Sequence, residues 1–344
     1  MDTLTQITLG ASVGEALLGK KLGNKAPMWG AVFGVVPDLD VLVNPFVSEV
    51  QALAIHRGIS HSLFFSIIAA PLFGWLLHKY YWNNKSEVGW RDWSLLVFLV
   101  IITHIFIDAC TSYGTQVLQP FSNYSLSINS IFIVDPFYTL PLMAGVLTAL
   151  FLRRNAPKRR WSNNLGLAVS TLYLMAGLGV KAHVNAVFKQ NFAAQDIQPQ
   201  QYMTTPAPLS IFLWTGYAEE GDTLYAGLYS IFDDDTDINF QMVPQNEKLL
   251  MPYRNQLPVE RIKWFSQGYY AVEQNSPNLV VHDLRFGRSD LWLDDKQAPF
   301  VWNYRLQFNA DSTEVTGFKQ QEPSFNASGE VWNKLINRTF GKEF

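Results

Sequence analysis

The sequence predicts an α-helical polytopic membrane domain of about five transmembrane or half-inserted helices, followed by a small extramembrane α+β domain built on antiparallel sheet. Three observations predict it. Charged residues make up only 16% of the 344, against the ~25% usual for soluble domains, while mean hydropathy stays near zero at +0.03. The charges divide unevenly: residues 1–185 hold 13 Lys+Arg and 9 Asp+Glu, and residues 186–344 hold 13 and 20. The apolar runs long enough to enter a bilayer all lie in the first half, and the second half reads as mixed polar and apolar sequence. The expected division is therefore a membrane domain over 1–185, a Gln- and Pro-rich linker over 186–208 and a soluble domain over 209–344. The one cysteine, Cys110, excludes an intrachain disulfide.

Each element follows in order. Residues 4–18 are apolar but short for a span of ~20 residues and end at Lys20, Lys21 and Lys25, which predicts a short or half-inserted helix. No cleavable signal peptide is expected, because Asp2 stands where a basic region would. A second apolar segment over 26–43 is broken at Pro37, which delivers Asp38 and Asp40. The connection 44–61 ends in His56-Arg57-Gly58-Ile59-Ser60-His61, and Ser60 or Ser62 can cap the apolar helix 62–78. The run 94–115 is an apolar helix with His104 and Asp108 near its far end, and a loop rich in Ser, Thr, Asn and Tyr follows over 111–130. Two further spans are expected at 136–152, with Asp135 as cap, and at 164–181. Beyond these, SIFLWTGYA, TLYAGLYSIF, LVVHDLRFG and FVWNYRLQF alternate in the manner of strands, Glu219-Glu220-Gly221-Asp222 suits a hairpin turn, and 258–273 and 328–339 read as helices. The run Asp233-Asp234-Asp235-Thr236-Asp237 reads as a solvated turn, since it lacks an EF-hand's glycine and terminal glutamate.

Basic residues set an expected orientation. Eleven of the 13 in this half fall in the alternate loops 20–25, 79–91 and 153–160, which the positive-inside rule assigns to the cytoplasm. Arg57 and Lys181 are the exceptions. The connections 44–61 and 110–135, and everything after 182, are then expected outside, so Asp38, Asp40, His56, His61, His104 and Asp108 converge on the outer membrane surface.

That convergence carries the chemistry. His104 and Asp108 leave one face of a helix a turn apart, and carboxylates at membrane depth are rare enough to mark functional sites. Three His and three Asp from Pro37-Asp38-Leu39-Asp40, His56-x4-His61 and His104-x3-Asp108 make candidate ligands for one to three divalent ions. Zinc suits the mixture best, with manganese or magnesium as alternatives. Each member also has a plainer reading: Asp38 and Asp40 as turn or cap residues after Pro37, the imidazoles as hydrogen-bonded structural groups, and Arg57 as a partner for Glu49 or a lipid headgroup. Arg57 equally has the fork geometry for a phosphate, and with Asp38 and Asp40 it is a candidate to act on a substrate.

MDxxT, PDLD, HRGxSHS and THxxxDxxTSYGT followed by PFS together resemble the bacterial membrane-bound metal-dependent hydrolase family named after YdjM, formerly domain of unknown function 457, over roughly residues 1–150. That family is itself similar to the zinc-dependent phospholipase C and P1 nuclease group. The resemblance implies a helical multi-zinc, phosphodiesterase-like site in which His104 and Asp108 are the helical His-x3-Asp ligands, completed by one of Asp38 and Asp40 and one of His56 and His61. The chain departs from the family's THxxxG at Thr5-Gln6-Ile7-Thr8-Leu9-Gly10, and glutamine is a poor zinc ligand beside imidazole.

The expected function is thus hydrolysis of a phosphoester in a phospholipid or lipid-linked substrate at the outer face of a bacterial inner membrane, the C-terminal domain lying on the periplasmic side. The rival expectation is a non-catalytic envelope-stress or interaction protein with a structural metal or polar cluster. A transporter stands third, weakened because the candidate ligands sit at one surface. No basic groove is present and the second domain is acidic, so nucleic acid is not an expected partner.

Overall fold

The structure, a computed structural model, describes residues 1–82, 88–275, 278–293, 298–322 and 329–342. It divides into two compact units, one formed by residues 1–42 and 55–177, the other by residues 43–54 and 178–344. Lys85 of the second basic loop and residue 328 of the last expected helix lie outside the described residues.

The first unit is helical. Its elements are α1 (Thr3–Leu22), α2 (Lys25–Val35), a 3₁₀ segment starting at Pro37, α4 (Leu63–Tyr81), α5 (Trp90–Ala109), α6 (Pro136–Phe151) and the first part of α7 (Pro157–Ala194); α3 (Glu49–Ile55) belongs to the second unit except for its last residue. Side-chain caps start several of them: Asp2 accepts from Thr5 N, Ser62 from Phe65 N, and Asp135 from Phe137 N and Tyr138 N. Among the described residues α4, α5 and α7 are long and apolar enough to cross a membrane. The pair α2 and Pro37–Phe46, bent by 42°, makes a fourth candidate span. At 16 residues α6 is shorter than a span.

Two features of this unit position the site. The first is close approach of α1 and α2. Gly10 and Gly14 of α1 face Gly30 and Gly34 of α2, and a Cβ added at Gly30 would lie 2.1 Å from the Gly10 carbonyl oxygen. This reciprocal GxxxG packing, which lets backbones touch where lipid supplies no hydrophobic drive, brings Gln6 and the Gly34 carbonyl to the same level. The second is the burial of α5, whose Trp93, Leu96, Val97, Val100 and Ile101 are enclosed by neighbouring helices. His104 and Asp108 continue that enclosed side, so they face protein and not acyl chains.

At the opposite end, Arg159 donates from Nε and Nη2 to both carboxylate oxygens of Glu15, at 2.7 and 2.6 Å, and from Nη1 to Asn24 Oδ1 and the Leu152 carbonyl. Both partners are buried, and together they clamp α1 to α7.

The second unit carries two four-stranded antiparallel sheets, each with strands in sequence order: β1 (Gln201–Pro206), β2 (Leu213–Glu220), β3 (Thr223–Ser230) and β4 (Gln241–Pro244), then β5 (Tyr270–Asn275), β6 (Asn278–Asp283), β7 (Asn303–Phe308) and β8 (Val315–Gln320). Glu220 pairs with Thr223, leaving the two-residue turn Gly221-Asp222 with Gly221 at φ +62°. Tyr217, Leu224 and Ala226 of the first sheet pack with Ala271, Leu284 and Trp292.

One expectation is corrected here, and one segment takes a form that composition did not show. The segment 186–208, expected as a linker, holds the end of α7, which continues to Ala194, and the start of β1 at Gln201. Val184, Val187, Phe188 and Phe192 explain this, recurring at helical spacing and burying an apolar stripe that the polar residues between them mask in composition. The helix expected over 258–273 is α8 (Leu257–Phe265) followed by β5, because Gly268 at φ +87° ends the helical path and the run Tyr270–Val272 enters the sheet. The last helix is α9 (Gly329–Thr339). Asp233 of the acidic run accepts from Ser230 N and Arg338 Nη2, the bonding of an anchored turn.

Candidate metal centre

Four ligand-type side chains from three separate stretches meet in the first unit. Asp38 comes from the 3₁₀ segment after α2, His61 from the short Ile59–His61 turn before α4, and His104 and Asp108 from adjacent turns of α5. His61 Nε2 lies 3.2 Å from Asp38 Oδ1, 3.2 Å from His104 Nε2 and 3.4 Å from Asp108 Oδ2. His104 Nε2 lies 3.5 Å from Asp38 Oδ1 and 3.6 Å from Asp108 Oδ2. Four donors held ~2.0–2.2 Å from a tetrahedral ion are separated by ~3.3–3.6 Å, so these spacings fit one.

The protons around the centre support the same reading. His104 Nδ1 is 2.8 Å from the Gly34 carbonyl, which only accepts, so Nδ1 carries the hydrogen and Nε2 presents a lone pair. Ser60 Oγ donates to Asp40 Oδ2 at 3.1 Å and so accepts from His61 Nδ1 at 3.0 Å, which makes His61 Nε2 the atom open to an ion or to a second proton. Asp108 Oδ2 is buried and accepts no hydrogen bond, although the Arg57 guanidinium Nε stands 3.3 Å away. Two imidazole nitrogens and two carboxylate oxygens therefore point at one another, an arrangement that demands a cation or a proton. Burial lowers the pKa of His61, but the carboxylates of Asp108, Asp38 and Asp40 outweigh it and raise it to about 10, so a proton competes for the same place. The donor set suits a divalent ion; its identity is not fixed by these residues.

Asp40 and His56, also candidate ligands by sequence, stand behind the four. Asp40 accepts from the Arg57 backbone N–H at 2.9 Å, its Oδ1 is 3.0 Å from His56 Nδ1, and its Oδ2 is 3.5 Å from His61 Nδ1. Asp40 thus supports His61 through Ser60, whose hydroxyl accepts from His61 Nδ1 and donates to Asp40 Oδ2, an outer support of the kind that orients metal-binding histidines. Arg57 is buried with its guanidinium over Tyr113 at 4.6 Å, Nη1 donating to Thr111 Oγ1 and Nε 3.3 Å from Asp108 Oδ2. Its φ of +54° is strained for a side chain with a Cβ, and the bonds of its N–H to Asp40 and its carbonyl to Gln116 N hold it there. Glu49, the alternative partner considered for Arg57, accepts instead from Gln320 N. Gln6 Nε2 donates to Asp108 Oδ1 at 2.9 Å, and the Met1 amino group bonds to the same oxygen.

Sequence reasoning gave no site role to Gly34, Thr111 and Tyr113, and read Ser60 as a possible helix cap, a place that Ser62 takes. Gly34 was recoverable from the paired Gly10/Gly14 and Gly30/Gly34 spacing, whereas the roles of Ser60, Thr111 and Tyr113 depend on loop geometry that no periodicity encodes.

Fold and site together define a polytopic membrane protein with a buried Asp/His centre able to hold a metal ion. The chain belongs to the YdjM inner membrane protein family, which it matches over residues 1–184. It is also similar to the uncharacterized protein YfhP of Bacillus subtilis (strain 168), 29% identical over 157 residues that cover 42% of this chain and 45% of YfhP, somewhat under half of that relative's length. No solved structure matches the chain.

Proposed function

We propose that this protein is a zinc-dependent hydrolase of the inner membrane that cleaves a phosphoester in a phospholipid or lipid-linked substrate at the outer face, with its second unit on the periplasmic side. The observation that carries the reading is the meeting of two imidazole nitrogens and two carboxylate oxygens from three stretches of chain around one point. A divalent ion bound there supplies an acidified water and polarisation of a phosphoryl oxygen. Asp38, His61, His104 and Asp108 are the proposed ligands. Asp38 is the accessible one, its side chain 22% exposed while the other three are sealed, so substrate and water approach on its side. Arg57 would neutralise phosphoryl charge, held rigid by Thr111 and Tyr113, and Asp40 would keep the His61 Nδ1 proton in place. The reaction class is proposed from the motif resemblance alone, which implies a site of the zinc-dependent phospholipase C and P1 nuclease kind. Purified full-length protein should contain zinc and release phosphorylated product from lipid vesicles, and His104→Ala and Asp108→Ala should lose both. Unchanged zinc content in those variants removes the basis of the reading.

A second reading, a structural centre in an interaction protein, is favoured by one observation. Gln6 and the Met1 amino group already occupy Asp108 Oδ1, and three of the four ligands are sealed from solvent. Zinc present at full stoichiometry with no phosphoester hydrolysis would select it. Gln6→His discriminates further: a gain in metal stoichiometry or hydrolysis favours the enzyme.

A further inference from the structure

The rim of the centre is amphipathic. Its polar edge is formed by Asp38 and His56, both partly exposed. On the same two segments, tied together by the bonds of Asp40 to Arg57 N and Ser60 Oγ, Leu39, Leu42 and Ile59 project into open space, Leu42 with 64% of its surface free. Leu63 N donates to the Val117 carbonyl and the rings of Phe64 and Phe121 meet edge to face at 5.9 Å, which brings Phe121, 83% exposed, to the start of α4 directly after His61. Apolar side chains so exposed mark a surface built to be covered. What covers these is indicated by the chain itself, since Pro37–Phe46 is the second limb of the bent pair that together with α2 satisfies the length and composition of a membrane span. A water-facing mouth on such a segment would leave its leucines in solvent. A mouth that opens within the span places them among acyl chains, beside Asp38 and His56.

We infer that the centre opens sideways into the bilayer: its substrate is an amphiphile that keeps its hydrocarbon chain in the lipid, along Leu39, Leu42 and Phe121, while its polar ester slides past Asp38 to the ligands. The inference rests on the hydrolase reading for the word substrate, but the placement of the mouth is testable alone. Cys110 is buried, so a single introduced cysteine can be labelled selectively. Full-length Leu42→Cys and Phe121→Cys proteins, each first shown to retain wild-type metal content, carry a bimane probe in reconstituted vesicles. Quenching by lipids brominated along their chains, with protection from aqueous iodide, is the expected result at both positions. Quenching by iodide and not by brominated lipid overturns the inference. In mixed micelles, a long-chain phosphoester should be cleaved with a kcat/KM at least tenfold above that of a short-chain, water-soluble ester with the same headgroup, and equal values overturn lateral access while leaving the hydrolase intact. If neither ester is cleaved, the hydrolase reading fails and the quenching result still decides where the mouth lies.

Discussion

Replacing His104 by Ala and Asp40 by Asn should separate the ligands of an ion from the groups that aim them. Five of the six spacings among the ligand atoms of Asp38, His61, His104 and Asp108 lie between 3.2 and 3.6 Å and all four atoms lie within 4.8 Å of one another, close to the separations of ligands ~2.0–2.2 Å from a shared ion. His104→Ala removes one corner of that tetrahedron, so bound metal should fall to background in elemental analysis after dialysis. Asp40→Asn leaves all four corners in place. It removes only the negative charge lying 3.5 Å from His61 Nδ1, the kind of outer support whose loss costs ~10–100-fold in metal affinity, about 1.4–2.7 kcal/mol. Competition against a chromophoric chelator of known affinity measures both effects: Asp40→Asn should still saturate at the wild-type stoichiometry, at higher free metal. If Asp40→Asn abolishes metal while His104→Ala retains it, the four-ligand assignment is wrong and Asp40 belongs inside the centre.

Three other outcomes follow from the same coordinates. Glu15→Ala strands the buried Arg159 guanidinium and should destabilise the helical unit by ~3–5 kcal/mol in thermal or denaturant unfolding, with much of the loss recovered in Glu15→Ala/Arg159→Met; a change below ~1 kcal/mol would show the pair to be dispensable. Gly30→Ala drives a methyl group onto the Gly10 carbonyl and should force α1 and α2 apart, costing ~1–3 kcal/mol and weakening metal binding through the displaced Gly34 carbonyl; unaltered stability and affinity would contradict the close packing. Because His61 holds its proton up to about 10, the ion must displace that proton across the neutral range, and apparent affinity should rise ~tenfold per pH unit from 6 to 9 in the same chelator assay. In metal-free protein the sign reverses. The raised pKa stabilises the fold most fully below the ordinary value of 6.5, and that contribution disappears as pH climbs toward 10, so a flat stability profile over this range would argue against the carboxylate cage around His61.

Much of the fold is legible in the chain because membrane helices and hairpins are written locally. The apolar run before His104, the caps Asp135 and Ser62 and the Gly221 turn depend on neighbours a few residues away, and each appears where local chemistry puts it. The extension of α7 to Ala194 was hidden because its buried stripe is diluted by Lys, Asn and Gln on the other faces, so composition concealed a periodicity that packing exploits.

For the centre, the sequence by itself determined the inventory. A carboxylate and an imidazole one helical turn apart in an apolar run, with PDLD and HRGxSH upstream, restrict the candidates to six side chains. Only the tertiary structure separated four of them from the other two. Asp38 and Asp40 stand only two residues apart, yet the 3₁₀ path after Pro37 turns the first toward His104 and the second toward His56 and Ser60. Whether a carboxylate meets a metal or a proton donor depends on fractions of an ångström set by the contact of α1 with α2 and by the left-handed turn at Arg57. Those distances arise from groups brought together across 20 to 100 residues of chain, and a linear pattern carries no record of them.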